Sequence, residues 1–365
     1  MDTQYFHRVT KLSPTRFWIN NPTREQADLA IAAGAVGCTN NPSYSQKMID
    51  HPGEGLYASQ LLDEAINETN STNEAVVLFQ RKLVKSIAEK FLPLYKQSDG
   101  VQGYVSIQGD PINEEDPDVI LREARSNLQI GKNICCKVPT TEAGLIAMEV
   151  LIGEGVAVNA TEIFGVSQMI SVCELYKRVT SRTGKKPMLY MSHIAGIYDD
   201  YLINYVDEKK LKIEPDILWQ AGLAIARKTY DVIKERGYSA VFVSGGARGL
   251  QHFTEMVGGE VCVTINWEGT ADKLLEANYP VVYRIFNPVP QKVIDELMEE
   301  LPDFKRGYLE DGLSEEEYEG FGPVQLFRSS FIKSWKQVLH LAEERRNALK
   351  AGAFNLDAQD NRISQ

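Results

Sequence analysis

"ICCKVPTTEAGL", residues 134–145, is an apolar run that ends in a single lysine and continues through a proline and two threonines. Lys137 can be read in two ways. A lysine at a strand terminus belongs on the surface, because an ammonium group is almost never buried unless paired. A lysine held in an apolar pocket has its pKa lowered by desolvation, and the resulting neutral amine can attack a carbonyl to form a Schiff base. The stretch by itself leaves both readings open.

The same kind of run recurs along the chain. "RFWIN" (16–20), "AVGCT" (35–39), "GYVSIQ" (103–108), "NICCKV" (133–138), "VAVNA" (156–160), "PMLYMS" (187–192), "AVFVSG" (240–245) and "VCVTIN" (261–266) are short and mostly bounded by Gly, Asn or Pro. Between them lie helical patterns. "NEAVVLFQRKLVKSIAEKFLPLY" places Val77, Phe79, Leu83, Val84 and Ile87 near a 3.6-residue period, and "DILWQAGLAIARKTYDVIKER" carries a similar stripe. Eight near-continuous apolar strands, each followed by helix, describe an α/β fold in which a parallel sheet closes as a TIM (β/α)8 barrel over residues 1–285. The competing architecture is a doubly wound open sheet. Its dinucleotide fingerprint is poorly matched by "SGGARG" (244–249), which comes late and lacks the G-x-G spacing. From residue 286 the alternation stops. Residues 286–365 read as a helical C-terminal extension packed on the barrel, with "LEDGLSEEEYEGFG" (309–322) as an exposed acidic loop and the last ten residues frayed.

Composition narrows the function. The 365 residues are 43% hydrophobic and 24% charged, as in a soluble globular protein. A net charge of −11 argues against a nucleic-acid partner, which needs concentrated Lys and Arg, but leaves room for a small sugar or sugar-phosphate substrate. The five cysteines form no CxxC pair, so neither a disulfide framework nor a metal site is indicated, and they read as core residues in a reducing compartment. The N-terminus has no signal-peptide core and no run is long enough for a membrane span, so a cytoplasmic protein without membrane partners is expected. Oligomeric state is not legible, and a homodimer is compatible with the sequence.

In a TIM barrel the site lies at the C-terminal ends of the strands. Those ends read Asn20, Thr39-Asn40-Asn41, Gln108, Lys137, Asn159 with Thr161, Ser192-His193, Arg248 and Asn266. Lys137 is one cation in a ring of amides and hydroxyls, and in that company the Schiff-base reading is the stronger one.

Three of these segments, "GCTNNPS" (37–43), "CKVPTTEAGL" (136–145) and "GVAVNATEIFGVSQ" (155–168), resemble the transaldolase family in motif and spacing. The weaker similarity runs from about residue 16 to 276. The resemblance implies a divergent member working without cofactor or metal. Lys137 attacks a ketose carbonyl, and a water held by Thr161 and a neighbouring acid shuttles protons. A three-carbon enamine is then passed to an acceptor aldehyde, with the protonated imine as the electron sink. Asn41, Asn159 and Ser192 match donor-binding positions, and Arg248 matches a phosphate-binding arginine.

The pattern also breaks. The family's proton-taking aspartate at the end of the first strand is Asn20 here, its water-holding glutamate on the third is Gln108, and its first phosphate arginine after the sixth is Ile197. An amide cannot accept a proton at neutral pH. The related fructose-6-phosphate aldolase group also carries glutamine at the Gln108 position, but its proton-carrying tyrosine falls on Ile194 here. His193 is the nearest side chain with an ordinary pKa near neutrality and so is a candidate for the acid–base work; a histidine bonded to backbone is the competing reading. Two alternatives to transaldolase chemistry stay open: a Schiff-base enzyme of the same fold with another reaction (aldol condensation, dehydration or isomerisation), and a non-catalytic sugar-phosphate-binding relative.

Overall fold

Side-chain alternation along the strands divides the apolar residues into two regions. A small inner cluster of Trp18, Tyr104, Cys135, Tyr190, Val243 and Cys262 is separate from the large core shared by strands and helices. Only a closed barrel gives a sheet such an interior. In the computed structural model, which describes the backbone of residues 4–363 and the side chains of residues 4–350, eight parallel strands close in chain order. They are β1 (Arg16–Asn20), β2 (Cys38–Asn40), β3 (Val105–Gln108), β4 (Ile134–Pro139), β5 (Val158–Ile163), β6 (Leu189–His193), β7 (Val241–Ser244) and β8 (Val261–Ile265). β1 pairs with β8 from Arg16↔Cys262 to Ile19↔Ile265, and that ladder closes the ring.

The inner cluster floors the barrel. Trp18 and Tyr190 lie 4.8 Å apart between ring centroids, and Tyr104 and Tyr190 5.8 Å apart. Gly37 is required here, since a Cβ would stand 2.3 Å from the Trp18 indole. Two residues further along, the inward positions become polar: Asn20, Ser106, Lys137, Ser192 and Thr264 follow Trp18, Tyr104, Cys135, Tyr190 and Cys262. The barrel therefore runs from an aromatic floor to a polar mouth.

Most strand ends shift by one or two residues from the sequence reading, and three segments differ in kind. β2 begins at Cys38 and not Ala35, although Val36 and Gly37 already make backbone hydrogen bonds with β1, and Val36 accepts one from Gly103 ahead of β3. β5 runs past Ala160 to Ile163 through a register irregularity against β6. The acidic segment 309–322 is only partly exposed. Its glutamates 315 and 316 face solvent, while Leu313, Tyr318 and Phe321 are buried and the Tyr318 hydroxyl lies 2.8 Å from Ser171 Oγ.

After β8 the chain forms helices Gln291–Glu300 and Pro302–Tyr308 and then one long helix, Gly322–Ile363. That long helix crosses the barrel mouth. Arg328 forms ion pairs with Glu114 and Glu115 in the loop after β3, at 2.9 and 2.8 Å, and also with Glu319. Further along, Trp335 Nε1 donates to Asn73 Oδ1 at 3.0 Å, and Arg345 makes a bidentate contact with Asp63 at 2.7 and 2.6 Å. The fraying expected of the last ten residues lies outside the described side chains. All five cysteines are free and buried, and no helix of the described residues is long and apolar enough to cross a membrane.

Candidate active site

The polar mouth opens into a cavity of about 270 Å³ under the long helix. Lys137 and Ser192 line it, as do Asn20, Asn41, Arg248 and Asn266 from other strand ends. Its apolar lining is Ile194 and Ile197, with Phe327 and Phe331 contributed by the helix.

Lys137 is 7% exposed and makes no hydrogen bond or ion pair with any described residue. Burial lowers its pKa to about 8, against the pull of the Glu162 and Glu114 carboxylates, which favour the charged form. In the ladder Lys137 lies between Gln108 on β3 and Asn159 on β5. Asn159 is held on both sides: its amide N–H donates to Ser106 Oγ at 3.2 Å, and its oxygen accepts from Ser192 Oγ at 2.8 Å. These three side chains form a rigid polar shelf beside the amine.

Asn20 belongs to a different chain of contacts. It donates to Asn266 Oδ1 at 2.9 Å and accepts from Thr39 Oγ1 at 2.9 Å, while Thr39 lies 2.8 Å from Thr264 Oγ1. Asn41 Oδ1 accepts from Asn21 Nδ2 and from the Ser43 amide, which fixes its side chain at the cavity wall. Arg248 reaches the cavity from the loop after β7, where Gly246 takes φ +69° and a Cβ would stand 2.6 Å from Ile194. Its guanidinium is engaged by Asp200 at 2.5 Å, and its backbone amide donates to His252, which pairs with Asp199 at 2.9 Å.

Thr161 and Gln108 are buried and do not line this cavity. Thr161 Oγ1 and Gln108 Oε1 have no hydrogen-bond partner among the described residues. His193 is placed elsewhere. Ser192 faces the barrel interior, so His193 points outward among the helices, its ring 6.1 Å from that of Phe242. Both ring nitrogens lack partners, so it is not the backbone-bonded histidine of the competing reading, and burial lowers its pKa to about 3, which keeps it neutral. The structure does not bring His193 to Lys137.

Four charged residues in and around the barrel mouth escaped the sequence reading: Glu162, Glu114, Lys47 and Arg328. Glu162 is fully buried and accepts from Gln108 Nε2 at 2.8 Å. Burial raises its pKa, opposed by the Gln108 hydrogen bond and Lys137; burial and Glu162 together raise that of Glu114 further. Lys47 lines the cavity and donates to the Asn21 carbonyl at 2.7 Å. Arg328 had one sequence signal, a lone cation inside the apolar stretch "LFRSSF". Among the described residues no group of three or more His, Cys, Asp or Glu side chains is arranged to hold a metal ion.

Chemically, the arrangement offers a desolvated amine, fixed amides and hydroxyls able to hold a polyol, and a buried carboxyl pair. Comparison with known proteins points the same way. The family profile described as Transaldolase/Fructose-6-phosphate aldolase matches residues 17–314. Transaldolase 1 of Streptomyces avermitilis is 29% identical over 232 residues, covering 60% of this chain and 61% of its own. The transaldolase of Thermobifida fusca is 28% identical over 249 residues, covering 63% and 67%. Transaldolase 1 of Streptomyces coelicolor is 35% identical over 167 residues, covering 44% and 43%. The chain thus spans about three-fifths of the length of the first of these relatives.

Proposed function

Because this chain belongs to the transaldolase/fructose-6-phosphate aldolase family, we propose that it is a Schiff-base aldolase or transaldolase whose nucleophile is Lys137. The observation that carries this reading is the buried Lys137 amine, its pKa lowered to about 8, without a partner among the described residues and open to a cavity lined with amides and hydroxyls. The neutral amine adds to a ketose carbonyl, and loss of water gives the protonated imine. A base takes the C4 hydroxyl proton, the C3–C4 bond breaks to release an aldehyde, and its electrons enter the imine to leave a three-carbon enamine, which adds to an acceptor aldehyde whose oxygen takes the proton back. Asn41, Asn159 and Ser192 hold the donor hydroxyls, and the imine nitrogen is itself the electron sink, so the chemistry calls for no cofactor.

The cavity supports a substrate without a terminal phosphate. Ile197 and Ile194, with Phe327 and Phe331 from the helix, give it an apolar portion, Asp200 engages Nε of Arg248, and the Lys47 ammonium is engaged by the Asn21 carbonyl. A carbonyl substrate hydroxylated near C1–C3 and uncharged at its far end suits that lining.

Borohydride reduction in the presence of dihydroxyacetone should add the reduced ligand's mass to the Lys137 peptide. Lys137→Arg should not trap, because a guanidinium stays protonated. Absence of any adduct across a panel of ketoses and aldehydes would favour a sugar-binding relative.

A further inference from the structure

Glu162 stands where the strand period should put an outward-facing residue. Asn159 points into the barrel, and strict alternation from Thr161 would turn the next side chain toward the helices. The register of β5 against β6 slips between Ala160 and Ile163, and Glu162 takes φ +60°, a left-handed conformation that few non-glycine residues adopt. The effect is to carry its carboxyl to Gln108, which pairs with Lys137 in the ladder.

This placement has costs and no evident structural return. A left-handed non-glycine residue costs about 1 kcal/mol or more, and a buried carboxylate is unfavourable unless paired. Glu162 is fully buried, and among the described residues no cation lies within ion-pair distance of it. The charged groups acting on it are Lys137 on β4, Arg328 on the long helix and Glu319 just before that helix, with Glu114 from the loop after β3. One oxygen accepts from Gln108, while the other, Oε2, has no protein partner, and neither has the adjacent Thr161 Oγ1.

We propose that Glu162 supplies the catalytic carboxyl for the imine chemistry of Lys137, with Gln108 as its positioning residue. This rests on the Schiff-base reading above. The carboxyl has moved across one hydrogen bond, from the end of β3 to the bulge in β5, and the amide at Gln108 is its anchor. In the step assigned to it, protonated Glu162 gives its proton to the carbinolamine hydroxyl, directly or through one water at Thr161. The C–O bond breaks, water leaves, and the nitrogen lone pair forms the C=N bond, giving the protonated imine and the Glu162 carboxylate. Hydrolysis of the final imine returns the proton. Burial favours the protonated form that this step requires.

The test is the rate of borohydride-trappable adduct with dihydroxyacetone, with thermal unfolding followed in parallel. Glu162→Gln keeps the shape and an acceptor for Gln108, so it should retain the fold but trap at least about 10²-fold more slowly. Gln108→Glu combined with Glu162→Gln returns a carboxyl across the same hydrogen bond and should recover at least about tenfold of that loss. A merely structural Glu162 would not be rescued by the exchange. If the wild-type protein traps at Lys137 and Glu162→Gln traps equally fast, the assignment of Glu162 is overturned while that of Lys137 stands. If the wild-type protein does not trap, both fall. Should Glu162→Gln fail to fold, the exchanged pair decides: trapping within about tenfold of wild type supports the proposal, and a loss beyond about 10²-fold overturns it.

Discussion

Arg328 lies 2.9 Å from Glu114, and both side chains are buried. The pair joins the long C-terminal helix to the loop after β3, the strand that carries Gln108. Removing one partner of a buried ion pair leaves the other charge without compensation, at a cost of about 3–5 kcal/mol. Arg328→Ala should therefore lower stability in chemical denaturation by about 3 kcal/mol, and Arg328→Ala with Glu114→Gln should regain part of it. Because Phe327 and Phe331 flank Arg328 over the cavity, KM should also rise in the single variant.

Lys137 sets two pH dependences. Imine formation needs the neutral amine, so its rate should climb as pH rises through about 8. Stability moves the same way for a different reason. The folded protein holds this proton more weakly than the unfolded chain, whose lysine titrates near about 10.4. Raising the pH from about 8 to that value therefore favours the folded state, and below about 8 the penalty of burying the ammonium is complete. Lys137→Met should abolish trapping yet gain about 1–3 kcal/mol at neutral pH, with a flatter profile above it. A variant that is both inactive and less stable would contradict this account.

His193 should be dispensable for turnover. It faces the helices and is held neutral, with a pKa lowered to about 3, so no kinetic group near the ordinary histidine value should belong to it. His193→Leu should keep kcat within about threefold, since it stands outside the reacting groups. It should also lessen the loss of stability on acidification between about 6.5 and 3, the window in which the unfolded state binds this proton and the folded state does not. Loss of turnover with intact trapping would restore His193 to the acid–base machinery.

Introducing arginine and aspartate where the family resemblance expects them should not create transaldolase activity. Ile197→Arg with Asn20→Asp places a guanidinium beside Arg248 and a carboxylate between Thr39 and Asn266. Yet Asp200 remains on Arg248, and Phe327 and Phe331 remain over the cavity. Transfer from fructose 6-phosphate to erythrose 4-phosphate should stay near background, while the native reaction is lost. A gain of about 10²-fold, the scale of a restored general base, would mean that the pocket has merely drifted.

The barrel was legible because its strands are near-continuous apolar runs, and β1 begins and ends at the residues its sequence suggested. The cavity-facing ends at Asn20, Asn41, Lys137, Ser192 and Arg248 were legible for a related reason: polar residues that close apolar strands of a barrel face its mouth. Glu162 was not, because a period of two assigns it to the outer face and only a left-handed backbone turn brings it back. Nor were Phe327 and Arg328, since a helical stripe gives the face that is buried but not the surface that buries it. His193 misled through its side-chain chemistry: its ordinary pKa suited the task, but its face of β6 did not.

The roof of the cavity is translated after the whole of the barrel that it covers. Every strand, and with them Lys137, Glu162 and Gln108, is translated before Phe327, Arg328 and Phe331. At about 5–20 residues per second the barrel has time to form with its mouth open. While the mouth is open to water, solvation favours the protonated, non-nucleophilic form of the amine. The nucleophile is thereby completed by residues that are not part of the barrel that carries it.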